Sequence, residues 1–138
     1  KKEYSNIVPV CDDIENVDIK NASMIVMNFT LQFFSPDKRN SLLQKICKGT
    51  RKGGILVLSE KIKYADVKEH KFLTDLHHTF KAINGYSKME ISGKRVALEN
   101  VLIPDTKDEH INRLKAAGFS KVYMWFECFN FVSFVAVK

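Results

Sequence analysis

Two short runs of unbroken apolar residues, Met24-Ile25-Val26-Met27 and Ile55-Leu56-Val57-Leu58, flank a single helical pattern. Neither run alternates with polar residues, so each presents apolar side chains to both faces of a sheet. Strands of this kind are covered by helices on both sides, as in a mostly parallel α/β sheet. The segment between them reads as one helix. Ser35 can cap it, Pro36 suits the first helical position, and Asp37 favours the positive end of the helix dipole. Leu42, Leu43, Ile46 and Cys47 recur at helical spacing, and Gly49 closes the segment. Strand, helix and strand at this spacing predict a right-handed parallel crossover.

The other elements follow from similar signals. Ile7-Val8-Pro9-Val10-Cys11 is an apolar run stopped by Asp12-Asp13, which predicts a strand over 7–11. Pro9 has no N–H and argues against a central place for it. The next strand covers 24–28, the helix 36–48, and a third strand 55–59 after the Gly53-Gly54 turn. A helix over 66–84 carries Phe72, Leu73, Leu76, Phe80 and Ile83 as its apolar stripe, and Gly85 ends it. Ser87-x-x-Glu90 and Thr106-x-x-Glu109 are capping boxes. They open helices over 88–101, ahead of Pro104, and over 107–117, ahead of Gly118. Strands over 121–129 and 131–137 lie on either side of Asn130 and should pair antiparallel.

The chain has 138 residues, the length of one domain. Hydrophobic residues make up 45% and charged residues 28%, which excludes a disordered tail or a collagen-like repeat. Cys11, Cys47 and Cys128 are odd in number and widely spaced, unlike a disulfide framework or a zinc knuckle. They read as buried free thiols in a reducing cytoplasm. No stretch reaches the ~18 consecutive apolar residues of a membrane span, and the first residues do not form a signal peptide. The net charge is +6. The basic residues are dispersed and the aromatics sit in apolar runs, so a solvated surface is expected rather than a nucleic-acid face.

In an open α/β sheet, ligands bind beyond the carboxyl ends of the parallel strands. Those ends carry Asp12 and Asp13, Asn28, and Glu60. A carboxylate there accepts from an amine, and an asparagine amide both donates and accepts. Strand ends also favour such residues as plain turn formers. His77-His78 are adjacent on a helix, about 100° apart, and cannot readily share a metal; no metal site is expected. No nucleophile elbow, Walker loop or glycine-rich nucleotide loop occurs. The aromatic run from Phe119 to Val137, with Tyr123, Trp125, Phe126, Phe129, Phe131 and Phe134, reads as core and inter-subunit packing.

Taken together these residues resemble a known family. A strand ending in an acid, Asn-Ala-Ser-Met-Ile-Val-Met-Asn-Phe over 21–29, Lys52-Gly53-Gly54 before a strand ending in Glu60, Ala117-Gly118-Phe119 and a terminal hairpin resemble class I S-adenosylmethionine-dependent methyltransferases. Five further segments are similar to the carboxy-S-adenosylmethionine synthase family within that class. They are Asn28–Phe33, Leu58–Lys61, His77–Ser87, Lys94-Arg95-x-x-Leu98-Glu99-Asn100-Val101 and Trp125–Phe131. The likeness runs from about Asp13 to the C-terminus.

The resemblance implies a Rossmann-like class I methyltransferase fold, mostly parallel, with a C-terminal antiparallel hairpin and incomplete at its N-terminus. The family's first strand, glycine-rich loop and ribose-holding acid would precede Ile7. It also implies a cytoplasmic homodimer that converts S-adenosyl-L-methionine and prephenate to carboxy-S-adenosyl-L-methionine and phenylpyruvate. The product serves a partner enzyme that carboxymethylates the tRNA wobble uridine, with no direct nucleic-acid binding by this chain. Carried over by position, Asp13 and Ile14 match the adenine contacts and Asn28 the residue beside the methionine part. Arg95 matches the arginine that binds the transferred carboxylate, reaching in from the neighbouring subunit. A planar, permanently charged fork suits a carboxylate. Tyr86 and His78 are candidates for the prephenate side. Two other readings keep the same fold: an ordinary methyltransferase that transfers the methyl group intact, and a truncated chain that retains the dimer surface without holding the cofactor.

Overall fold

The computed structural model describes residues 6–138. In chain order the elements are β1 (Ala22–Asn28), a 3-10 turn (Leu31–Phe33), α1 (Pro36–Gly49), β2 (Thr50–Lys61), α2 (Val67–Ile83), α3 (Lys88–Leu98), α4 (Lys107–Ala116), β3 (Lys121–Cys128) and β4 (Phe131–Val137). The sheet order is β1-β2-β4-β3. β1 runs parallel to β2, with Met27 opposite Leu58 and Asn28 opposite Ser59. β4 inserts antiparallel between β2 and β3, so the chain's last two strands form the expected hairpin.

The two sheet faces differ sharply. Leu56, Leu58, Val132, Phe134 and Ala136 point to one face and are buried against Leu42, Leu43 and Ile46 of α1 and Leu114 of α4. The opposite face stays open at its edges. Met24, Val26, Tyr123, Trp125 and Phe126 are exposed there. The Trp125 indole N–H donates to Ser133 Oγ at 2.9 Å, and the Ser59 and Ser133 hydroxyls pair at 2.9 Å.

Both capping boxes form as expected. Ser87 and Glu90 exchange bonds at the start of α3, and Thr106 and Glu109 do so at the start of α4. Gly118 closes the α4 turn at φ 109°, a conformation few other residues tolerate.

Four expectations need correction. No strand forms over 7–11, whose residues are exposed coil. An apolar run becomes a strand only beside a partner, and β1 gives its paired edge to β2. β2 is longer than 55–59, because Thr50–Gly54 joins the ladder through a bulge opposite Ala22–Met24 and through bonds between Gly53, Gly54 and Lys138. The α2 stripe is not core: Phe72, Leu76, Phe80 and Ile83 are exposed, and no α2 residue is fully buried. Only Cys47 is a buried thiol, while Cys11 and Cys128 are exposed.

Candidate functional site at the carboxyl edge of the sheet

Asn28 ends β1, and the chain turns at once. Phe29 takes a left-handed conformation at φ 53°, and its N–H donates to Ser59 O at 2.7 Å. The next three N–H groups converge on one side chain. Thr30 and Leu31 donate to Glu60 Oε1 at 3.2 and 2.8 Å, and Gln32 donates to Glu60 Oε2 at 3.1 Å. Glu60 is fully buried. This strand-end acid therefore anchors the turn that presents Asn28 rather than facing a ligand.

Burial pushes the Glu60 carboxyl up to about 7, against the pull of the three N–H donors and of Arg39. The folded pKa lies above the unfolded value, so the stability this group contributes is full below about 4.5 and is lost as pH rises through about 7. Glu60→Gln cannot titrate, and its amide sets a donor against the Gln32 N–H. The variant should be less stable than the parent by about 1–3 kcal/mol at acid pH. Between pH 4.5 and 7 the parent should lose on the order of 3 kcal/mol that the variant keeps, which closes or reverses the gap. Urea unfolding of both proteins across that range checks it, and a gap independent of pH refutes the assignment.

Asp13 and Ile14 lie in the segment that leads to β1, and Ile14 packs against the core beneath. Glu15, next in sequence, accepts from Lys38 Nζ at 3.0 Å and, through its carbonyl, from Lys45 Nζ at 2.6 Å. Both lysines are on α1, whose first turn follows β1 through the 3-10 turn. This segment therefore lies along α1, where the Glu15 hydrogen bond, with a smaller contribution from the Asp13 charge, raises Lys38. Asp13 Oδ1 accepts from Glu15 N at 2.8 Å. Among the described residues Asp13 Oδ2 and the Ile14 N–H have no partner. One free acceptor beside one free donor matches the amidine edge of an adenine. Asn28 keeps an exposed amide. The residues present thus fit the two ends of an adenosyl ligand. None of them forms a glycine-rich cradle for its middle.

Arg95 is carried by a different element, α3. It is exposed on α3 and lines a cavity of about 330 Å³ between α2 and α3, with His78, Thr79, Ala82, Lys88 and Ser92. No ion pair holds Arg95 among the described residues. His77 and His78 diverge as the helix geometry requires. His77 stacks on Phe129 at 5.7 Å and meets Phe131 edge-on at 5.0 Å, whereas His78 faces the cavity. Tyr86 is exposed beyond α2.

Sequence reasoning overlooked one fully buried charged residue. Arg39 is fully buried; it donates to Asp105 Oδ2 at 2.6 Å and to the carbonyls of Phe34, Gln32 and Ile103. Arg113 joins the same Asp105 oxygen. A signal was present, because Arg39 holds the first place of the stripe continued by Leu42, Leu43 and Ile46.

The fold is that of the class I S-adenosylmethionine-dependent methyltransferases. A solved structure described as PigF with SAH matches 92% of the chain at a TM-score of 0.63 and 19% identity, over 34% of its own length. Human N-acetylserotonin methyltransferase in complex with SAM matches 92% at 0.61 and 14%, over 32% of its length. The sequence is more specific: the chain is homologous to somewhat more than half of a carboxy-S-adenosyl-L-methionine synthase. The curated synthase of Mannheimia succiniciproducens is 54% identical over 138 aligned residues, 98% of this chain and 57% of the relative. That of Haemophilus ducreyi is also 54% identical with the same coverage. That of Hahella chejuensis is 55% identical over 129 residues, 94% of this chain and 52% of the relative. The chain therefore spans a little over half the length of these relatives. No protein-family profile matches it.

Proposed function

We propose that the gene product carrying this chain is a carboxy-S-adenosyl-L-methionine synthase. The observation that carries this reading is the identity of about half the residues with curated synthases over nearly the whole chain. The substrates are S-adenosyl-L-methionine and prephenate, and the products carboxy-S-adenosyl-L-methionine, phenylpyruvate and water. Prephenate breaks the bond to its ring carboxyl group and expels its ring hydroxyl as the ring becomes aromatic. The released carboxyl carbon bonds to the activated methyl carbon, and the proton lost there leaves with the hydroxide as water. The sulfonium compound supplies that acidified methyl group.

In this reading Asp13 accepts from the adenine amine, the Ile14 N–H serves the ring nitrogen, and the Ile14 side chain covers the ring. Asn28 holds the methionine part beside the end of β1. Arg95 receives the migrating carboxylate from the neighbouring subunit of a homodimer. The exposed apolar stripe of α2 and the outer face of β3 suit such an assembly. The product then serves a cytoplasmic enzyme that carboxymethylates the tRNA wobble uridine. No helix among the described residues is long and apolar enough to cross a membrane.

Mass spectrometry of the nucleoside formed from both substrates tests the reading. The expected sulfonium product is heavier than S-adenosylmethionine by one CO₂ and appears only when prephenate is present. Demethylated nucleoside and an unconsumed prephenate pool would instead identify an ordinary methyltransferase.

A further inference from the structure

A group of cations sits at the same sheet edge without matching anions. The pleat places its first member. Glu60 points to the α1 face, where it holds the turn, so Lys61 points to the other face. Its register partner Phe131 confirms this, because the Phe131 ring meets His77 of α2 on that side. Asn28 is registered with Ser59, two residues before Lys61 on the adjacent strand and on the same face. The Lys61 side chain therefore emerges about 7 Å along the strand direction from Asn28. Its backbone is fixed as well, since Lys61 N donates to Gln32 Oε1 at 2.9 Å.

α2 and α3 add to this charge. Lys81 is one turn beyond His77 on α2, and Lys94 precedes Arg95 on α3. Burial lowers the Lys61 ammonium pKa, and the charges of Lys81 and Lys94 lower it further. Burial and Lys94 do the same to Lys81. His77 is lowered to about 4, by burial first and then by Lys81, Lys61, His78 and Lys94. These groups thus lie within electrostatic reach of one another. None of the three lysines has an ion-pair partner among the described residues, and nearby Asp75 is taken by Lys71. Lys61 and Lys81, both disfavoured as ammonium ions by burial first and then by neighbouring positive charge, form a surface that a bound anion would relieve.

We propose that Lys61, with Lys81 and Lys94, binds a carboxylate of the acyclic, non-migrating part of a dicarboxylate substrate, beside Asn28. This rests on the reading of the protein as a synthase acting on prephenate, which carries two carboxylates. Arg95 is assigned the one that moves, and the lysines hold the pyruvyl carboxylate that stays. Two separate cationic points fix the orientation of the ring between them, which a single contact could not do. Ammonium groups suit the retained carboxylate, where charge matters and a bidentate fork is unnecessary.

The test is calorimetric titration of the gene product carrying this chain with prephenate, with phenylpyruvate and with S-adenosylmethionine. It is run on the parent, Lys61→Met, Lys81→Met and Lys61→Arg. Loss of one charge-assisted contact should weaken both carboxylate ligands by about 10- to 100-fold in Lys61→Met, and Lys61→Arg should recover most of it. S-adenosylmethionine affinity should not change, which separates ligand binding from a folding defect. Parent-like prephenate binding in both methionine variants overturns the proposal. So does an RNA oligonucleotide that displaces prephenate from the parent, since the surface would then serve phosphates. Prephenate bound through Lys61 but never converted would leave this site standing and remove only the synthase reading.

Discussion

Asp105→Asn should lower unfolding stability by about 3–5 kcal/mol, the largest effect expected from a single change outside the ligand edge. The carboxylate is almost fully buried and faces two guanidinium groups, one of them wholly out of water. Burial alone would raise its pKa, but Arg113 and Arg39 outweigh burial and hold it below the usual carboxylate range. Asparagine keeps the shape but leaves Arg39 with only backbone carbonyls to offset a full charge. The urea midpoint should fall with the slope unchanged. The double variant Arg39→Met/Asp105→Asn should lose less than the sum of the single losses, because it removes the stranded charge along with its partner. A loss below about 1 kcal/mol for Asp105→Asn would mean that water reaches the cluster and screens it. The folded pKa is depressed, so the contribution is present above the unfolded value near 3.8 and is lost as pH falls through the lower folded value.

This cluster explains how the fold positions the ligand edge. Arg39 on α1 grips the turn after Asn28 through the Gln32 and Phe34 carbonyls. It grips the segment between α3 and α4 through Ile103 and Asp105. The Ile103 N–H returns to Gln32 O at 3.0 Å. Together with Glu60, the cluster fixes the exit of β1 from two sides and ties the C-terminal end of α3 to it. His110 packs on Phe134 beside the cluster, with both ring nitrogens unpartnered among the described residues. Burial lowers it to about 4, so it stays neutral next to the two arginines.

Most of the local structure was readable because it is decided locally. Ser87 and Glu90 lie three residues apart and satisfy each other's backbone wherever the chain puts them. The two unbroken apolar runs became β1 and β2, and the crossover helix buried the stripe that its spacing announced. The failures all involve distance in sequence. Ile7–Cys11 has strand composition, but a strand needs a neighbour, and composition does not supply one. The α2 stripe has helical periodicity, but periodicity does not say whether anything covers it. Asp105 follows Pro104 in a stretch that resembles a surface turn, and its partner Arg39 is 66 residues away. Glu60 and Lys61 are adjacent charges that the pleat sends to opposite faces, one to hold the turn and one to the open edge. The candidate site shows the same division. Asp13, Ile14 and Asn28 were named from the resemblance, whereas Lys61 becomes visible only through the register with Asn28 and Phe131.

Arg95→Ala should reduce prephenate-dependent carboxyl transfer by a factor on the order of 10²–10³ in the gene product carrying this chain. S-adenosylmethionine affinity should stay within about twofold, because the adenine and methionine contacts are on other elements. Arg95 is exposed on α3 and makes no ion pair among the described residues, so its removal should cost the fold less than about 0.5 kcal/mol. Lost activity at full stability then means a lost contact with the reacting carboxylate. Arg95→Lys should restore part of the rate, since an ammonium supplies the charge without the two-point grip. The place of Arg95 across a subunit boundary is testable by mixing. Subunits carrying Arg95→Ala and subunits carrying Asn28→Ala are each inactive alone. If Arg95 serves the neighbour's site, half of the mixed dimers carry one working site of two, and roughly a quarter of parent activity returns on subunit exchange. If Arg95 serves its own subunit, every site in the mixture lacks one of the two residues and no activity returns. Arg95 lines the α2–α3 cavity while Asn28 stands at the carboxyl end of β1. The two residues sit on separate elements, so each can be replaced without disturbing the other's backbone, and the mixing result reads the subunit of origin directly.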